Sequence, residues 1–308
     1  MLKGTTRFPL YGLFLLSFGL RIGTVTAQAA DAEPTGEDIT SGEPAMAGDW
    51  APWLQRDFPF FSSVLDARRV GGEFPKNNLV PRSLILNLGQ DVWAAYDTDL
   101  LRIALIWKGE AGKPPVTEES MSTISYIHAT KKVEMGEKAA PKPVGKPVLA
   151  NGVYEGWKVA GDSGGNVVFT DPRTPGPTKS EVGTGPLGDD RAALLGVRFS
   201  DHGSARISYE VHGTKVGESL RLKDDKGKSI LIRKFELAPH DEDLAVTLSS
   251  AVNGSVAPSG IVSSDGRELP VREHEGVRYL VIPGTKEPVT IEVSFDTGPA
   301  LAPPPESG

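Results

Sequence analysis

The sequence predicts an all-β protein, an antiparallel β-sandwich or supersandwich with long loops rich in proline and glycine. Its apolar runs are too short for helices of ordinary length and are rich in Leu, Ile and Val, which is typical of strands. In the second half of the chain, such runs alternate with glycine-containing turn signals at close spacing. The 35 Gly and 25 Pro among 308 residues exceed the roughly 7 % and 5 % of average composition, which favours a turn-rich fold.

The first 30 residues have the pattern of a secretory signal peptide. Two positive residues precede the apolar run Leu10–Leu20, and the small residues Ala27–Ala29 offer a cleavage site. The apolar run is about half of the ~20 residues that a helix needs to cross a bilayer. We therefore expect a secreted or periplasmic protein with no membrane span after cleavage. The acidic, Gly/Pro/Ala-rich residues 31–49 are expected to form a disordered spacer.

The ordered chain is expected to begin with a tryptophan-rich β half, residues 50–170. At its centre, Leu84–Leu88 and Leu101–Trp107 predict two strands buried on both faces, joined by a crossing over Gln90–Leu100. The aromatic segment Trp50–Leu65 contains two prolines that prevent a long helix. This segment predicts either a lid packed on the sheet or an exposed aromatic platform for a sugar or a partner. Further strands are expected at Ser122–His128 and, as a pair around Gly161–Asn166, within Val148–Val168.

A Pro/Gly-rich loop, residues 171–190, leads to a hairpin-rich β half, residues 191–298, and residues 299–308 are expected to be a Pro-rich tail. The two halves are expected to form one large sandwich or two sheets that share an edge. Strands of the second half are expected at Leu194–Phe199, Ala205–Val211, Ser219–Leu222, Ile230–Leu237, Leu244–Ala251, Gly260–Val262, Val277–Ile282 and Val289–Phe295. Turns with the positive φ of tight hairpins are expected at Asp201–Gly203, His212-Gly213, Asp225–Gly227, Asn253-Gly254, Asp265-Gly266 and Pro283-Gly284.

The run DTDLLR, residues 97–102, carries the strongest candidate site. Asp97 and Asp99 point to the same face of an extended chain, where two carboxylates are able to bind Ca²⁺ or act as an acid/base pair. The alternative is structural: one Asp caps a turn, and the other pairs with Arg102, which lies in an apolar run and is expected to be buried. Together with the nearby rings of Trp93 and Tyr96, these residues form the set of candidate ligand-binding residues.

The composition excludes several kinds of chemistry. The chain has no cysteine, which excludes Cys-ligated zinc, iron–sulfur clusters, thiol catalysis and covalent haem attachment through CxxCH. Its 5 histidines are scattered and show no HxH or HExxH spacing, so we expect no metal site and no cofactor. The net charge of -7 indicates against a nucleic-acid partner, because nucleic-acid binding usually needs a basic face.

Two runs of sequence resemble a known domain. They are NLVPRSLILNLGQDVWAAYDTDLLRIALIWKG, at Asn78–Gly109, and GVRFSDHGSARISYEVHGTKVGES, at Gly196–Ser219, with Asp171-Pro172-Arg173 between them. The pattern resembles an uncharacterised N-terminal domain, a domain of unknown function, of large secreted bacterial proteins. There the domain precedes a β-propeller similar to sorbosone dehydrogenases and a c-type cytochrome. The resemblance implies that the domain works beside redox domains, but it assigns no activity to the domain itself. It is compatible with a stand-alone relative and with a piece of a larger protein.

These observations predict an exported, non-catalytic binding or assembly module. Its partner is expected to be a carbohydrate or a redox protein, with the module accessory to a periplasmic sugar oxidoreductase or recognising a glycan. The alternative is a carbohydrate-active enzyme on a β-supersandwich that uses Asp97, Asp99 or Glu218 as its acid/base pair. The enzyme requires a concave site in which two carboxylates approach within roughly 5–10 Å beside aromatic rings.

We predict that the mature protein begins between Ala27 and Asp31, because the small residues before that point suit signal peptidase. Intact mass spectrometry of the protein from the periplasmic or secreted fraction measures this directly. A mass that still includes Met1 would contradict the export prediction.

Overall fold

Fifteen β-strands and no helix make up the part of the chain that the structure describes. The structure is a computed structural model, and it describes residues 59–111, 113–117, 140–161, 165–174, 186–199 and 205–299. The strands are β1 Phe60–Asp66, β2 Leu79–Asn87, β3 Val92–Asp97, β4 Arg102–Lys108, β5 Lys146–Ala150, β6 Trp157–Val159, β7 Ala192–Phe199, β8 Ala205–Val211, β9 Thr214–Asp225, β10 Lys228–Leu237, β11 Leu244–Ser250, β12 Pro258–Ser263, β13 Arg272–His274, β14 Val277–Ile282 and β15 Val289–Pro299. The prediction of an all-β fold is confirmed.

The strands form three antiparallel sheets. The five-stranded sheet has the order β1-β2-β3-β4-β5, and each strand pairs with its neighbour in the chain. The six-stranded sheet has the order β12-β15-β10-β9-β8-β7, so β7 and β12 are its two edges. The four-stranded sheet has the order β13-β14-β11-β6. Since β6 comes from the tryptophan-rich half and pairs with β11 of the hairpin-rich half, the two halves share a sheet.

A single hydrophobic core joins all three sheets. Tyr96 of β3, Phe235 of β10 and Trp157 of β6 all belong to it, and the Trp157 and Phe235 rings lie 5.4 Å apart, edge to face. The five-stranded and four-stranded sheets adjoin, because the backbone N–H of Gly156 donates to the carbonyl of Leu100 at 2.7 Å. The six-stranded sheet therefore faces a layer made of the other two, which is the arrangement of a β-sandwich.

Gly156 is required where the two sheets adjoin. A Cβ at this position would collide with the carbonyl oxygen of Leu101, so no larger residue fits without moving the backbone. The close contact between Gly156 and Leu101 places the start of β6 against the turn between β3 and β4. This contact fixes the turn, and with it the DTDLLR run, relative to the four-stranded sheet.

The outer face of the five-stranded sheet carries a second hydrophobic core. Trp93, Trp107 and Leu65 belong to it, and the indole N–H of Trp107 donates to the carbonyl of Pro115 at 3.0 Å. Burial on both faces explains why every residue of β3 is buried, while β8 alternates between buried and more exposed residues. Residues 84–86 of β2 and 102–107 of β4 are buried as well, so the burial predicted for the strands at Leu84–Leu88 and Leu101–Trp107 is confirmed for these residues.

Three expectations for the first half are wrong. The strand pair predicted around Gly161–Asn166 is not formed, because β5 and β6 both end before Gly161 and residues 165–170 form no strand. The crossing predicted over Gln90–Leu100 is largely a strand, β3, because two small alanines at its centre fit between the cores on either side. Part of the predicted lid, Trp50–Leu65, is also a strand: Phe60–Asp66 pairs with β2 along the edge of the sheet. The predicted strand Ser122–His128, the signal peptide, the spacer and residues 300–308 lie outside the described residues. Among the described residues there is no helix that is long and apolar enough to cross a membrane.

Local turn chemistry predicted some of the hairpin turns of the second half correctly. Gly284 of the predicted Pro283-Gly284 turn does not have positive φ, and the predicted turn Asp201–Gly203 lies outside the described residues. His212-Gly213 and Lys226-Gly227 both have positive φ at each residue, as two-residue hairpin turns require. Glu275-Gly276 makes the same kind of turn between β13 and β14, a hairpin that the sequence did not predict. The predicted strand Ser219–Leu222 is the middle of a 12-residue strand, β9. Because the ends of β9 are polar, the apolar pattern in the sequence indicated only its central part.

Candidate functional site

The five candidate residues lie near one another in sequence but face different surroundings. Trp93 belongs to the outer core of the five-stranded sheet, whereas Tyr96 belongs to the core between the layers. Asp97, Asp99 and Arg102 lie at the turn that joins β3 to β4. None of the five is more than 6 % exposed, and Asp99 lines a cleft. Ligand contact by the other four remains a prediction.

Arg102 is completely buried and holds three separate segments of the chain. Its Nη2 lies 3.0 Å from Oδ2 of Asp97 and donates to Oδ1 of Asn78 at 2.9 Å. Its Nη1 donates to the carbonyl of Gly152 at 2.9 Å and to that of Asn151 at 3.3 Å. The guanidinium thus joins the start of β2, the end of β3 and the loop after β5. The predicted burial of Arg102 and its pairing with a neighbouring Asp are confirmed.

Asp97 performs both structural tasks that the sequence divided between two carboxylates. Its Oδ1 accepts the backbone N–H groups of Asp99 at 3.1 Å and Leu100 at 3.3 Å, while its Oδ2 faces Arg102. Burial raises the pKa of Asp97 above its ordinary value, and the Arg102 guanidinium and the two N–H donors oppose that shift. The prediction that one Asp caps the turn and the other pairs with Arg102 is therefore wrong, because Asp97 does both. Asp99 pairs with a different arginine, Arg82.

Two asparagines that sequence reasoning missed complete this network. Asn78 donates its amide to the carbonyl of Ala104 at 2.9 Å, and Asn151 donates to the carbonyl of Ile103 at 2.8 Å. The hydroxyl of Tyr154 donates to Oδ1 of Asn151 at 2.8 Å. Both asparagines therefore bind backbone groups of β4 as well as Arg102. Their chain positions, 24 and 49 residues from Arg102, gave no local signal of this contact.

A second buried network crosses the core between the layers. Arg233 donates from Nε to Oε1 of Glu218 at 2.6 Å and from Nη1 to the carbonyl of Thr247 at 2.6 Å. The hydroxyl of Tyr209 donates to Oε2 of Glu218 at 2.7 Å and accepts the indole N–H of Trp157 at 3.0 Å. Burial, with the Glu218 charge beside it, raises the pKa of Tyr209 well above its ordinary value. Both Glu218 oxygens are occupied, and the residue has no exposed surface.

A cleft of about 260 Å³ opens where Asp99 reaches the surface, and we call it the flank cleft. One wall comes from the five-stranded sheet and its β3–β4 turn, and the other from the segment that enters β7. Its lining residues are Arg82, Thr98, Asp99, Leu101, Pro186, Leu187, Asp189, Ala192, Ala193 and Leu194. The backbone N–H of Leu187 donates to the carbonyl of Asp99 at 3.1 Å and ties the two walls together.

The flank cleft is an incompletely closed seam between the two layers. Leu101, Leu187 and Ala192 in its walls belong to the core between the layers. Leu194 pairs opposite the buried Tyr209, so it lies on the core-facing side of β7, yet it is 42 % exposed. An apolar ligand group that enters here therefore contacts residues that are continuous with the core.

The polar side of the flank cleft is an ion pair between an exposed arginine and a buried aspartate. Nη2 of Arg82 lies 2.5 Å from Oδ1 of Asp99, and the Arg82 side chain is 58 % exposed while that of Asp99 is 6 % exposed. Asp189 adds an exposed carboxylate to the same cleft. None of the described residues that line the cleft is aromatic. The cleft thus offers apolar walls with a cation and a carboxylate at its mouth.

A larger groove, about 360 Å³, lies on the outer face of the six-stranded sheet. The guanidinium of Arg206 lies over Gly217, in the space that a side chain there would fill, and forms an ion pair with Glu236. This groove is open, and its Glu236 is already paired with Arg206 and Lys234. In the described parts of the chain, no group of three or more His, Asp or Glu side chains is placed to hold a metal ion.

Comparison with known families adds one finding. A family model described as a domain of unknown function (DUF6797) matches residues 94–218, which is less than half of the 308-residue chain. The chain is therefore similar over this range to an uncharacterised domain, as its sequence pattern predicted. Neither the curated proteins nor the solved structures gave a significant match. The neighbouring propeller and cytochrome remain a prediction.

The matched range does not correspond to a closed structural unit. It begins inside β3 and ends inside β9, so β1 and β2 of the five-stranded sheet lie outside it. It includes Arg102 and Glu218 but excludes their buried partners Asn78 and Arg233. The folded unit that carries the flank cleft therefore extends beyond residues 94–218 on both sides.

We predict that Arg102→Ala lowers the free energy of unfolding by about 3–5 kcal/mol, because it leaves the buried Asp97 without its cation. The control is Arg221→Ala, which removes a half-exposed partner of Glu292 and is expected to cost at most ~1 kcal/mol. Urea unfolding curves of the three proteins measure both effects. An unchanged midpoint for Arg102→Ala would reject the structural role of the pair.

We further predict that residues 94–218 expressed alone do not fold, because the segment lacks β1, β2 and the sheet strands beyond β9. Residues 50–299 are expected to show a single cooperative unfolding transition. Circular dichroism during thermal unfolding compares the two. A cooperative transition of the shorter segment would show that the remaining strands are dispensable.

Proposed function

We propose that this chain is an exported, non-catalytic binding or assembly module that receives a partner polypeptide at the flank cleft. The observation that carries the proposal is the open seam between the layers, where core-facing apolar side chains remain exposed beside the Arg82–Asp99 ion pair. Exposed apolar surface edged by charged groups is a general property of protein interaction sites.

The arrangement of the carboxylates favours binding over catalysis. Asp97 and Glu218 are buried and each is held by an arginine, so neither is placed to exchange protons with a substrate. A carbohydrate-active enzyme would have to use Asp99 and Asp189, the two carboxylates that line the same cleft. Asp99 is already paired with Arg82, and the described lining has no aromatic ring on which a sugar could stack.

The size and lining of the flank cleft favour a side chain of another protein over a free small molecule. Its volume of about 260 Å³ is below the ~300–1,000 Å³ of ordinary small-molecule sites. Leu101, Leu187 and Leu194 suit an apolar side chain, and Arg82 and Asp189 suit polar groups that flank it on an extended polypeptide. We infer that the partner is a secreted oxidoreductase of the propeller–cytochrome type, on the strength of the sequence resemblance.

The test uses a purified sorbosone-dehydrogenase-like propeller–cytochrome protein that lacks this N-terminal domain. We expect the mature chain to bind it with micromolar affinity in isothermal titration calorimetry, as is ordinary for a module joined to its partner by a small interface. Asp189→Arg reverses a charge at the mouth of the cleft and is expected to weaken binding about tenfold or more.

The matched control is Asp241→Arg, which changes an exposed carboxylate on the β10–β11 loop and is expected to leave the affinity unchanged. Lack of binding by the folded wild-type chain would overturn the inferred partner. Release of reducing sugar from a panel of soluble polysaccharides, abolished by Asp99→Asn or Asp189→Asn, would establish the carbohydrate-active alternative instead.

A further inference from the structure

The sequence contains two Asn-Gly dipeptides, and the structure places them in opposite surroundings. Asn151-Gly152 directly follows β5, and Asn253-Gly254 lies between β11 and β12. An asparagine that precedes glycine is prone to spontaneous deamidation, because glycine has no Cβ to keep its backbone nitrogen away from the asparagine side chain. The two dipeptides therefore show how the fold affects the same reaction at two places in one chain.

Asn151 is locked in the core. It has no exposed surface, its Nδ2 donates to the carbonyl of Ile103 at 2.8 Å, and its Oδ1 accepts the hydroxyl of Tyr154 at 2.8 Å. The carbonyl of the buried Gly152 accepts a hydrogen bond from the guanidinium of Arg102. The side chain of Asn151 and the glycine that follows it are thus both fixed away from water. The fold protects this dipeptide.

Asn253 and Gly254 are exposed in a turn. The backbone N–H of Ser255 donates to the carbonyl of Val252 at 3.1 Å, and Gly254 has a φ of 87°, which is the arrangement of a β-turn with glycine at its third position. An exposed turn opens locally at a lower free energy than a strand in a core. The water and the backbone movement that deamidation requires are therefore available at Asn253.

The exposed carboxylate of Glu73 holds Asn253 in place. Its Oε2 accepts the backbone N–H of Asn253 at 3.2 Å, and its Oε1 accepts the side-chain amide at 3.1 Å. The ring of Phe74 lies against Gly254, 3.4 Å from the point that a Cβ would occupy. These contacts join the β11–β12 loop to the β1–β2 loop. Because water competes for exposed hydrogen bonds, Glu73 slows the movement of the Asn253 side chain without preventing it.

We propose that Asn253 is a site of spontaneous deamidation, and that its conversion to a carboxylate releases the β11–β12 loop from Glu73. The backbone nitrogen of Gly254 loses its proton and bonds to Cγ of Asn253, the Cγ–Nδ2 bond breaks, and Nδ2 leaves as ammonia. Water then opens the resulting succinimide at one of its two carbonyls, which gives aspartate or isoaspartate. Water is the only co-reactant, and no group is oxidised or reduced.

The product is unable to keep the contact with Glu73. The Nδ2 donor lies 3.1 Å from Oε1 of Glu73, and aspartate replaces that donor with a carboxylate oxygen of like charge. Isoaspartate also adds one carbon to the backbone inside the turn, which disturbs the hydrogen bond between Ser255 and Val252. The inference goes beyond the proposed function, because neither Asn253 nor Glu73 lines the flank cleft.

The first test follows deamidation by peptide mapping of the folded mature chain during storage in mildly alkaline buffer. Mass spectrometry detects the change of amide to acid, and chromatographic retention separates aspartate from isoaspartate. We expect Asn253 to react about tenfold or more faster than Asn151, because only Asn253 is able to open locally. A sample unfolded in urea is the control, in which both dipeptides are expected to react at similar rates.

A variant tests the restraint by Glu73. Glu73→Gln removes the negative charge and one of the two acceptors that hold Asn253. The rate of deamidation at Asn253 is expected to rise about threefold or more, since the side chain is then less restrained. The rate at the buried Asn151 is expected to stay unchanged. An unchanged rate at Asn253 would show that Glu73 does not restrain it.

The second test measures release of the loop by hydrogen exchange of residues 252–256. Asn253→Asp reproduces one product and is expected to increase the exchange rate about tenfold. Asn253→Asp combined with Glu73→Gln exchanges the amide and the carboxylate, so a donor faces an acceptor again and most of the protection is expected to return. Loss of the asparagine by itself would not show this rescue. Circular dichroism confirms that each variant is folded.

An Asn253 that stays intact in the folded chain while the unfolded control reacts would overturn the proposed site. Equal rates at Asn253 and Asn151 in the folded chain would do the same. Unchanged exchange in Asn253→Asp, or no rescue by Glu73→Gln, would overturn the release of the loop. These measurements use the chain alone, so their outcome is separate from calorimetry with the oxidoreductase.

Discussion

Removing a guanidinium from water is costly unless charge and hydrogen bonds replace its hydration, and the structure around Arg102 follows from that constraint. Asp97 supplies the charge, and Asn78, Asn151 and Gly152 supply oxygens from two other parts of the chain. Asp97 ends β3, Asn78 directly precedes β2, and Asn151 and Gly152 directly follow β5. The position of Arg102 therefore fixes the entry to β2, the β3–β4 turn and the loop that leads to β6.

The core between the layers contains a second buried arginine, Arg233, whose charge is also paired and hydrogen-bonded inside the protein. Arg233 of β10 binds one carboxylate oxygen of Glu218 on the adjacent β9, and the hydroxyl of Tyr209 on β8 donates to the other. Trp157 from the opposite layer donates its indole N–H to that hydroxyl. The two networks bind the carboxylates of Asp97 in the DTDLLR run and of Glu218 in β9. Their strength explains why conspicuous acidic residues in the sequence need not mark catalysis, since a carboxylate enclosed by donors is a structural group.

Function is accordingly to be sought where the sandwich is not closed. The seam between the layers opens at β7, where Leu194 faces the core side and remains partly exposed. Asp99 connects the turn beside Arg102 with this opening. Its carboxylate pairs with the exposed Arg82, and its backbone carbonyl accepts the backbone N–H of Leu187. The turn below the flank cleft is held by the hydrogen bonds and the ion pair of Asp97, so a ligand that entered the cleft would meet a preformed surface, which would reduce the entropic cost of binding.

The sequence by itself determined the features that depend on near neighbours along the chain. Turns such as His212-Gly213 follow from the positive φ that glycine and its preceding residue adopt, and the Asp97–Arg102 pair joins residues five positions apart. The tertiary structure alone decided that residues 92–97 form a strand, that Arg82 pairs with Asp99, and that Arg233 binds Glu218. Antiparallel sandwiches bring distant segments together, so a buried charge finds its partner through strand order and register, which no local pattern encodes.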